Sequence, residues 1–445
     1  MPGLPLLRRG GWYTSLDQLP APGPGLPPIS LAPEILLRRD ARWLRTAALP
    51  PVPAPAARAA ILTDAVRLFT ADTVGCGGIG EQSAADFRAA LWRSAGLPAA
   101  LVDRWCAMLA RRLAVRTEAA AAGTPGAGPA GGSRSARLTL VSLPANTFTC
   151  LESALTTLWA GDVTWVRPST REPLSALRLV SALVQAGWPG ELIGFYPTGQ
   201  GLLRALSAIT DRQIVYGGAG LAAAIGGLPG VEMHGPMRVC ALVTEDADPD
   251  AAAAALLPLV ASDGGRFCTT VRAIFCPSDP TRLAERLAAL LDAIPFPPDT
   301  AGRPEGADPP HRADPPRRAD PRDGAGQYGS SLPLAASPDA GRAAVTAAAV
   351  TSRLGAGDRI VTSRPLLSIL GGLTYLAPTL VRLAGPDPAS EPEWGEPPLL
   401  GFEAPFPLAT IMRVTGEQAA RLTKAAEETH RVTGRTGRAG EAGGS

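Results

Sequence analysis

The chain is almost without lysine. Lys424 stands alone among 445 residues, which excludes a Walker-type phosphate loop, whose glycines must be followed by a lysine, and argues against a Schiff-base enzyme. Histidine is nearly as scarce, with only His234, His311 and His430, and the six cysteines (Cys76, Cys106, Cys150, Cys240, Cys268 and Cys276) form no CxxC pair. A zinc site is therefore not expected. No apolar run reaches the ~18 residues that suggest a membrane helix, so no membrane span is expected. The opening MPGLPLLRRGGWYTS has no long apolar core behind its charges and does not read as a signal peptide. A cytoplasmic protein is the default expectation. Basic and acidic residues nearly cancel, 42 against 40, and nucleic-acid binding is not suggested. GxGxxG, the usual dinucleotide fingerprint, is missing too. The abundance of arginine and alanine reads as coding bias without functional content.

What is present suits two domains. Residues 1–56, rich in Pro, Gly and Leu, read as an irregular leader. Residues 57–123 have helical spacing: Ile61, Val66, Leu68 and Phe69 outline one helix, Phe87, Leu91 and Trp92 a second, and Leu101, Trp105, Met108, Leu109 and Leu113 a third. GTPGAGPAGGSRS, 123–135, reads as a flexible connector. Strand and helix signals then alternate across 136–235, with strands at 138–143, 163–166, 192–196 and 213–216. Such alternation predicts a parallel sheet with helices on both faces, the usual scaffold for a dinucleotide. A second α/β unit covers 236–414. Within it, 299–331 repeats Pro, Arg and Asp and reads as a disordered insertion. Residues 430–445 read as a frayed tail.

The stretch ASDGGRFCTTVRAIFC, 261–276, organises the functional reading. Gly264 and Gly265 let the backbone turn sharply and let a ligand come close. Cys268 follows that turn and precedes a strand-like run, a place where a thiol can meet a substrate; it also reads as a small core cysteine. Four other places bear on chemistry. Asn146 follows a strand, where its amide can donate to an oxyanion or merely cap a loop. Arg167 closes the next strand in VRPSTREP, placed for a ribose or phosphate, or else an ordinary surface arginine. Gly217 and Gly218 form a glycine turn opening into a helix. Glu232 and His234 are candidate proton acceptors, and Glu403 with Phe406 stands late in the chain.

In their order these features resemble the aldehyde dehydrogenase superfamily. The match runs from about residue 138 to residue 414 and is strongest in AGDVTWVRPSTREPLSALRLVSALVQAGWPGELI, EDADPDAAAAALL with GGRFCTTVRAIF, and YLAPTLV with EAPFP. The spacing of 36 between Glu232 and Cys268 (268 − 232) is near the family's interval between acid and cysteine. IVYGGAG, LPG and MHGPMR are similar to the acyl-CoA reductase branch, known from the fatty-acid reductase of bacterial luminescence. The resemblance implies an α/β fold, with a Rossmann-type nucleotide-binding domain, a second α/β catalytic domain and a helical N-terminal segment. It implies Cys268 as nucleophile, Asn146 as oxyanion donor and Glu232 as general base, with His234 standing where the family has glycine. It also implies cofactor contacts from Arg167, Ser169, Gly217, Gly218, Glu403 and Phe406. The family usually has Lys at Arg167 and often Glu at Thr170; a cation without that acid tolerates a 2′-phosphate, which favours NADPH, with NAD as the other candidate.

The expected function is an NADPH-dependent reductase that converts an acyl thioester, on CoA or an acyl carrier protein, into an aldehyde through a cysteine acyl-enzyme. Oxidation of an aldehyde to the acid, with Glu232 activating water, is the alternative. A catalytically degenerate partner protein of the same fold is a third. The family's final oligomerisation strand is not visible after Val414, so assembly stays open, a homodimer among the options.

Overall fold

The structure, a computed structural model, describes residues 3–122, 137–235, 237–297, 332–385 and 396–433. It forms two compact units, Met1–Pro236 and Met237–Ser445.

The first unit is built on a seven-stranded sheet. Its strands are β1 (Leu6–Arg8), β2 (Gly11–Tyr13), β3 (Leu138–Ser142), β4 (Val163–Arg167), β5 (Ile193–Phe195), β6 (Arg212–Tyr216) and β7 (Val231–His234), in the order β7-β6-β3-β4-β5-β1-β2. Strands β7, β6, β3, β4 and β5 are parallel, and β1 and β2 close one edge antiparallel. Every residue of β3 (LTLVS) and β4 (VTWVR) is buried, as expected of strands covered on both faces. The chain runs β3–β4–β5 to one side, then returns to place β6 and β7 on the other. The order therefore reverses between β3 and β6, the kind of crevice where open α/β sheets bind ligands.

Helices α1 (Glu34–Thr46), α2 (Pro55–Ala71), α3 (Ala84–Ala95), α4 (Ala99–Ala121), α5 (Leu151–Ala160), α6 (Leu174–Gln185), α7 (Leu203–Ser207) and α8 (Ala219–Ile225) complete the unit. The helical reading of 57–123 matches α2, α3 and α4. Residues 1–56 differ from expectation, since they hold β1, β2 and α1. Leu4, Leu6 and Leu7 are fully buried, and Leu7 pairs with Phe195 across the sheet. Asp40 of α1, itself buried, accepts from Arg8 Nε at 2.8 Å, Arg9 Nε at 2.6 Å and the Tyr196 hydroxyl at 3.0 Å. Strands of three residues are too short for an alternating pattern to show among prolines.

The second unit carries a six-stranded sheet: β8 (Val239–Val243), β9 (Ala273–Cys276), β10 (Arg359–Ile360), β11 (Thr379–Arg382), β12 (Leu408–Arg413) and β13 (Glu428–Val432), ordered β10-β11-β12-β9-β8-β13. All neighbours are parallel except β10 with β11. Its helices are α9 (Pro249–Ala261), α10 (Thr281–Asp292), α11 (Ala340–Thr351) and α12 (Gly416–Lys424). The expected tail from 430 begins instead inside β13, which pairs with β8 from Val239 to Val243; its mostly polar sequence suits an edge strand. The connector 123–135 and the insertion 299–331 lie outside the described residues. No helix among the described residues is long and apolar enough to cross a membrane.

Arginine proves structural rather than incidental. Arg178 of α6 is fully buried and donates to the carbonyls of Leu68 (3.3 Å), Phe69 (2.8 Å), Asp72 (2.6 Å) and Gln82 (2.7 Å). It thereby serves carbonyls at and just beyond the end of α2, where the helix runs out of amide donors, and ties them to Gln82. Arg178→Met should strip the guanidinium from the carbonyls of Phe69, Asp72 and Gln82 and destabilise the protein by about 3 kcal/mol or more, read from the urea midpoint.

Candidate active site

Cys268 and Glu403 come together because of sheet order. Each sits in the loop entering the amino end of a strand, Cys268 before β9 and Glu403 before β12, and those strands are neighbours. Ahead of Cys268 the chain makes a left-handed turn, with φ of 56° at Asp263, 64° at Gly264 and 64° at Gly265. Only glycine tolerates such angles freely, and Asp263 costs about 1–2 kcal/mol there. Gly265 is required for space as well, because a Cβ would lie 2.4 Å from the Pro407 nitrogen. The cysteine loop is thus pressed against the loop that carries Glu403.

Cys268 is half-buried. Desolvation raises its thiol pKa, and the Glu403 carboxylate pushes it the same way. The backbone N–H groups of Cys268 and Thr269 and the Arg272 guanidinium oppose them without prevailing. Glu403 is exposed, yet enough protein surrounds its carboxyl that desolvation raises its pKa against the pull of Arg272. Phe406, expected beside a cofactor, is only 4 % exposed and packs into the core with Leu399, Leu400 and Leu408. Its carbonyl accepts from Arg272 Nη1 at 2.8 Å. Arg272 is the residue that sequence reading missed. The signal was available, since a charged residue interrupts the apolar run of TTVRAIFC.

In the first unit, the reversal of strand order places Asn146 and the glycine turn at one sheet edge. Asn146 follows β3 and Gly217–Gly218 follow β6, and β3 and β6 are adjacent. Asn146 is half-buried. Its loop is anchored two residues on by Phe148, whose ring meets those of Phe69 (5.8 Å), Phe87 (6.1 Å) and Trp105 (5.3 Å). The N-terminal helices therefore position this loop. The Gly217 amide donates to the His234 carbonyl at 3.1 Å. A Cβ on Gly235 would come within 2.7 Å of the Gly217 oxygen, so the two chain segments need glycine at that crossing. Space around Gly218 is open.

Arg167, at the carboxyl end of β4, is only 4 % exposed, which rules out an ordinary surface arginine. Nη1 donates to Ser142 Oγ at 3.1 Å and Nη2 to the Thr198 carbonyl at 2.8 Å, and burial lowers its pKa to about 10. Its Nε and the hydroxyl of Thr198 are buried without a protein partner. Two such orphaned groups on contacting residues suit the oxygens of a ribose or phosphate, so these residues fit a nucleotide. Thr198 had no signal in the sequence. Ser169 accepts from the Arg171 amide at 3.3 Å and bridges to Glu172. Glu172 in turn accepts from the Ser175 amide at 2.9 Å, at the start of α6.

Glu232 lies within β7, opposite Ile214 and two residues short of the sheet's carboxyl edge. It is exposed and pairs with Arg212 and with His234 Nε2, the latter at 2.8 Å. Partial desolvation pushes its pKa up, but hydrogen bonds from Arg212 and His234 outweigh that and hold it below the usual carboxylate range. The His234 ring stacks on Tyr216 with centroids 4.7 Å apart, and Tyr216 shares a 2.7 Å hydrogen bond with Ser153.

No family profile matches this sequence, and no curated protein matches it. Solved structures do. An NAD-dependent benzaldehyde dehydrogenase from Corynebacterium glutamicum is similar over 97 % of this chain and 89 % of its own, with a TM-score of 0.68 and 13 % identity. An NAD-dependent aldehyde dehydrogenase from Sinorhizobium meliloti is similar over 97 % and 82 %, with a TM-score of 0.69 and 16 % identity. An NADP-dependent glyceraldehyde-3-phosphate dehydrogenase from Bacillus halodurans, complexed with NADP, is similar over 99 % and 92 %, with a TM-score of 0.63 and 17 % identity. At such identities the likeness establishes architecture, and the chain has the aldehyde dehydrogenase fold, with a Rossmann-like unit and a second α/β unit.

Proposed function

We propose that the chain is a nicotinamide-dependent aldehyde dehydrogenase, with the dinucleotide on the first unit and the nucleophile Cys268 on the second. The observation that carries this reading is the half-buried Cys268 thiol, set after a strained turn and flanked by Arg272 and Glu403. The Cys268 thiolate adds to the carbonyl carbon of an aldehyde, and the resemblance assigns the oxyanion donor to the amide of Asn146, a contribution of about 3 kcal/mol for one such donor. Bound nicotinamide supplies the two-electron chemistry by accepting or giving a hydride. Water then releases the acyl group from Cys268. The sum is aldehyde, water and oxidised dinucleotide in, and acid, reduced dinucleotide and a proton out. Arg167, Ser169, Thr198, Gly217 and Gly218 are assigned to the dinucleotide, and Glu403 to its nicotinamide ribose. NADPH and its oxidised form are the favoured pair because Arg167 has Thr170 near it in sequence where an acid would repel a 2′-phosphate; NAD is the other candidate. Support for the oxidative direction comes from the similar structures, described as NAD- or NADP-dependent dehydrogenases acting on aldehydes.

One observation favours a second reading, reduction of an acyl thioester on CoA or a carrier protein. There the thiolate expels the carrier thiol, hydride adds to the acyl carbon and aldehyde leaves, so no water need be activated. Glu232, tied to Arg212 and His234 and held at low pKa, is a weak proton acceptor for hydrolysis. The sequence likeness to the acyl-CoA reductase branch points the same way. Failure to bind either nicotinamide nucleotide in calorimetry would leave the degenerate partner protein.

Cys268→Ala should lower turnover by roughly 10³-fold or more with either substrate class; retained turnover rejects both catalytic readings. Incubation with benzaldehyde and NAD⁺ or NADP⁺, with and without CoA, separates them: thiol-independent acid formation that falls in Glu232→Gln identifies oxidation, and CoA-dependent turnover identifies the thioester route. Because the thiol pKa is raised, the reactive thiolate is scarce at neutrality. Iodoacetamide labelling of Cys268 should accelerate as pH rises through the alkaline range; a rate flat between pH 6 and 10 contradicts the electrostatics described, with ~8.5 as the reference for a free thiol.

A further inference from the structure

Arg272 is 7 % exposed and lies at the foot of β9. Its backbone is fixed on both sides, the amide donating to the Val239 carbonyl at 3.0 Å and the carbonyl accepting from the Thr410 amide at 2.9 Å. From that base the guanidinium reaches into two loops. Nη2 donates to the carbonyls of Gly265 at 2.5 Å and Ala404 at 2.7 Å, and Nη1 to those of Phe406 at 2.8 Å and Leu408 at 3.2 Å. Gly265 belongs to the turn before Cys268, and Ala404 is bonded in sequence to Glu403.

A buried cation is expensive to desolvate, and burial lowers the pKa of Arg272 to about 10. The side chain nonetheless stays protonated at neutral pH. Lysine could not replace it: an ammonium has three donors and no planar fork to reach four acceptors in two directions. The retained charge lies among Cys268 and Glu403, the two groups whose electrostatics it touches.

We propose that Arg272 is the positioning residue of this site, locking the loop of Cys268 and the loop of Glu403 into one register at the amino ends of β9 and β12. Its positive charge also favours the thiolate over the thiol. The inference rests on Cys268 being the reactive thiol, not on the direction of the reaction.

The test uses the full chain as wild type, Arg272→Lys and Arg272→Met. Hydrogen exchange is followed over 262–270 and 400–408, and iodoacetamide labelling of Cys268 is followed against pH. Arg272→Lys keeps the charge but loses the fork; exchange in both loops should accelerate together while β8 and β9 keep their protection. Arg272→Met loses the charge as well, and its labelling midpoint should lie above that of Arg272→Lys, so that labelling at neutrality is slower. Acceleration in one loop alone, or uniformly through the unit, overturns the positioning role. Coincident labelling curves for the two variants overturn the electrostatic one. Where Arg272→Met does not fold, the exchange pattern of Arg272→Lys decides, together with its labelling curve, which must stay near that of wild type. A wild type never labelled at Cys268 fails at the earlier step, the reactive thiol itself.

Discussion

Backbone carbonyls that meet where two segments converge must find donors, and in this protein arginine supplies them. Arg272 joins the turn before Cys268 to the segment after Glu403. Arg178 gathers the end of α2 and the segment around Gln82. Arg58 donates to the Trp159 carbonyl at 2.8 Å, near the end of α5, and Arg167 holds the Thr198 carbonyl. A buried carbonyl without a partner costs about 1–3 kcal/mol, so a guanidinium that serves several at once offsets a large penalty. The fork geometry explains why a chain with a single lysine builds such junctions from arginine.

These junctions matter because the candidate residues of each unit stand at strand ends, where hydrogen-bonded regularity stops. In the first unit the edge is the carboxyl one, and the reversal of strand order between β3 and β6 brings Asn146 and Gly217 to neighbouring positions. In the second unit the edge is the amino one, and the pairing of β9 with β12 does the same for Cys268 and Glu403. Loops at strand ends have no ladder to fix them. Phe148 fixes the first through aromatic contacts, and Arg272 fixes the second through carbonyls. One is a hydrophobic anchor, insensitive to charge. The other is an electrostatic anchor beside an ionisable thiol.

The fold was legible where the chain repeats a simple period. Strands β3, β4 and β6 and helix α6 stood out as apolar runs and amphipathic spacing, and the nucleophile loop stood out through Gly264, Gly265 and Cys268. Three kinds of feature did not. Strands as short as β1, with three residues among prolines, carry too few positions for a period. Edge strand β13 (ETHRV) is polar because only part of it is covered, so it looked like tail. Arg272 and Thr198 act through partners far away in sequence, Phe406 and Arg167 respectively; the charge inside an apolar run marks Arg272 as unusual, but its partners have no local signal. Phe406 is 4 % exposed, and an aromatic beside a site residue is as easily core as lining.

The engagement of Glu232 links the two catalytic readings. Proton abstraction from water grows less favourable as the acceptor's pKa falls, so a carboxylate held by Arg212 and His234 activates water slowly. On the proposed mechanism, slow hydrolysis lengthens the life of the acyl group on Cys268. An acyl-thioester that water leaves alone is open to another thiol, because thiols attack thioesters readily where water needs a base. On that proposal, the pairing that weakens hydrolysis would favour exchange with a carrier thiol. His234 is central to that balance, standing where the resemblance calls for glycine and donating to the Glu232 carboxylate through Nε2. With glycine there, Glu232 would lose one of its two partners and its pKa would rise toward the range in which a carboxylate takes a proton from water.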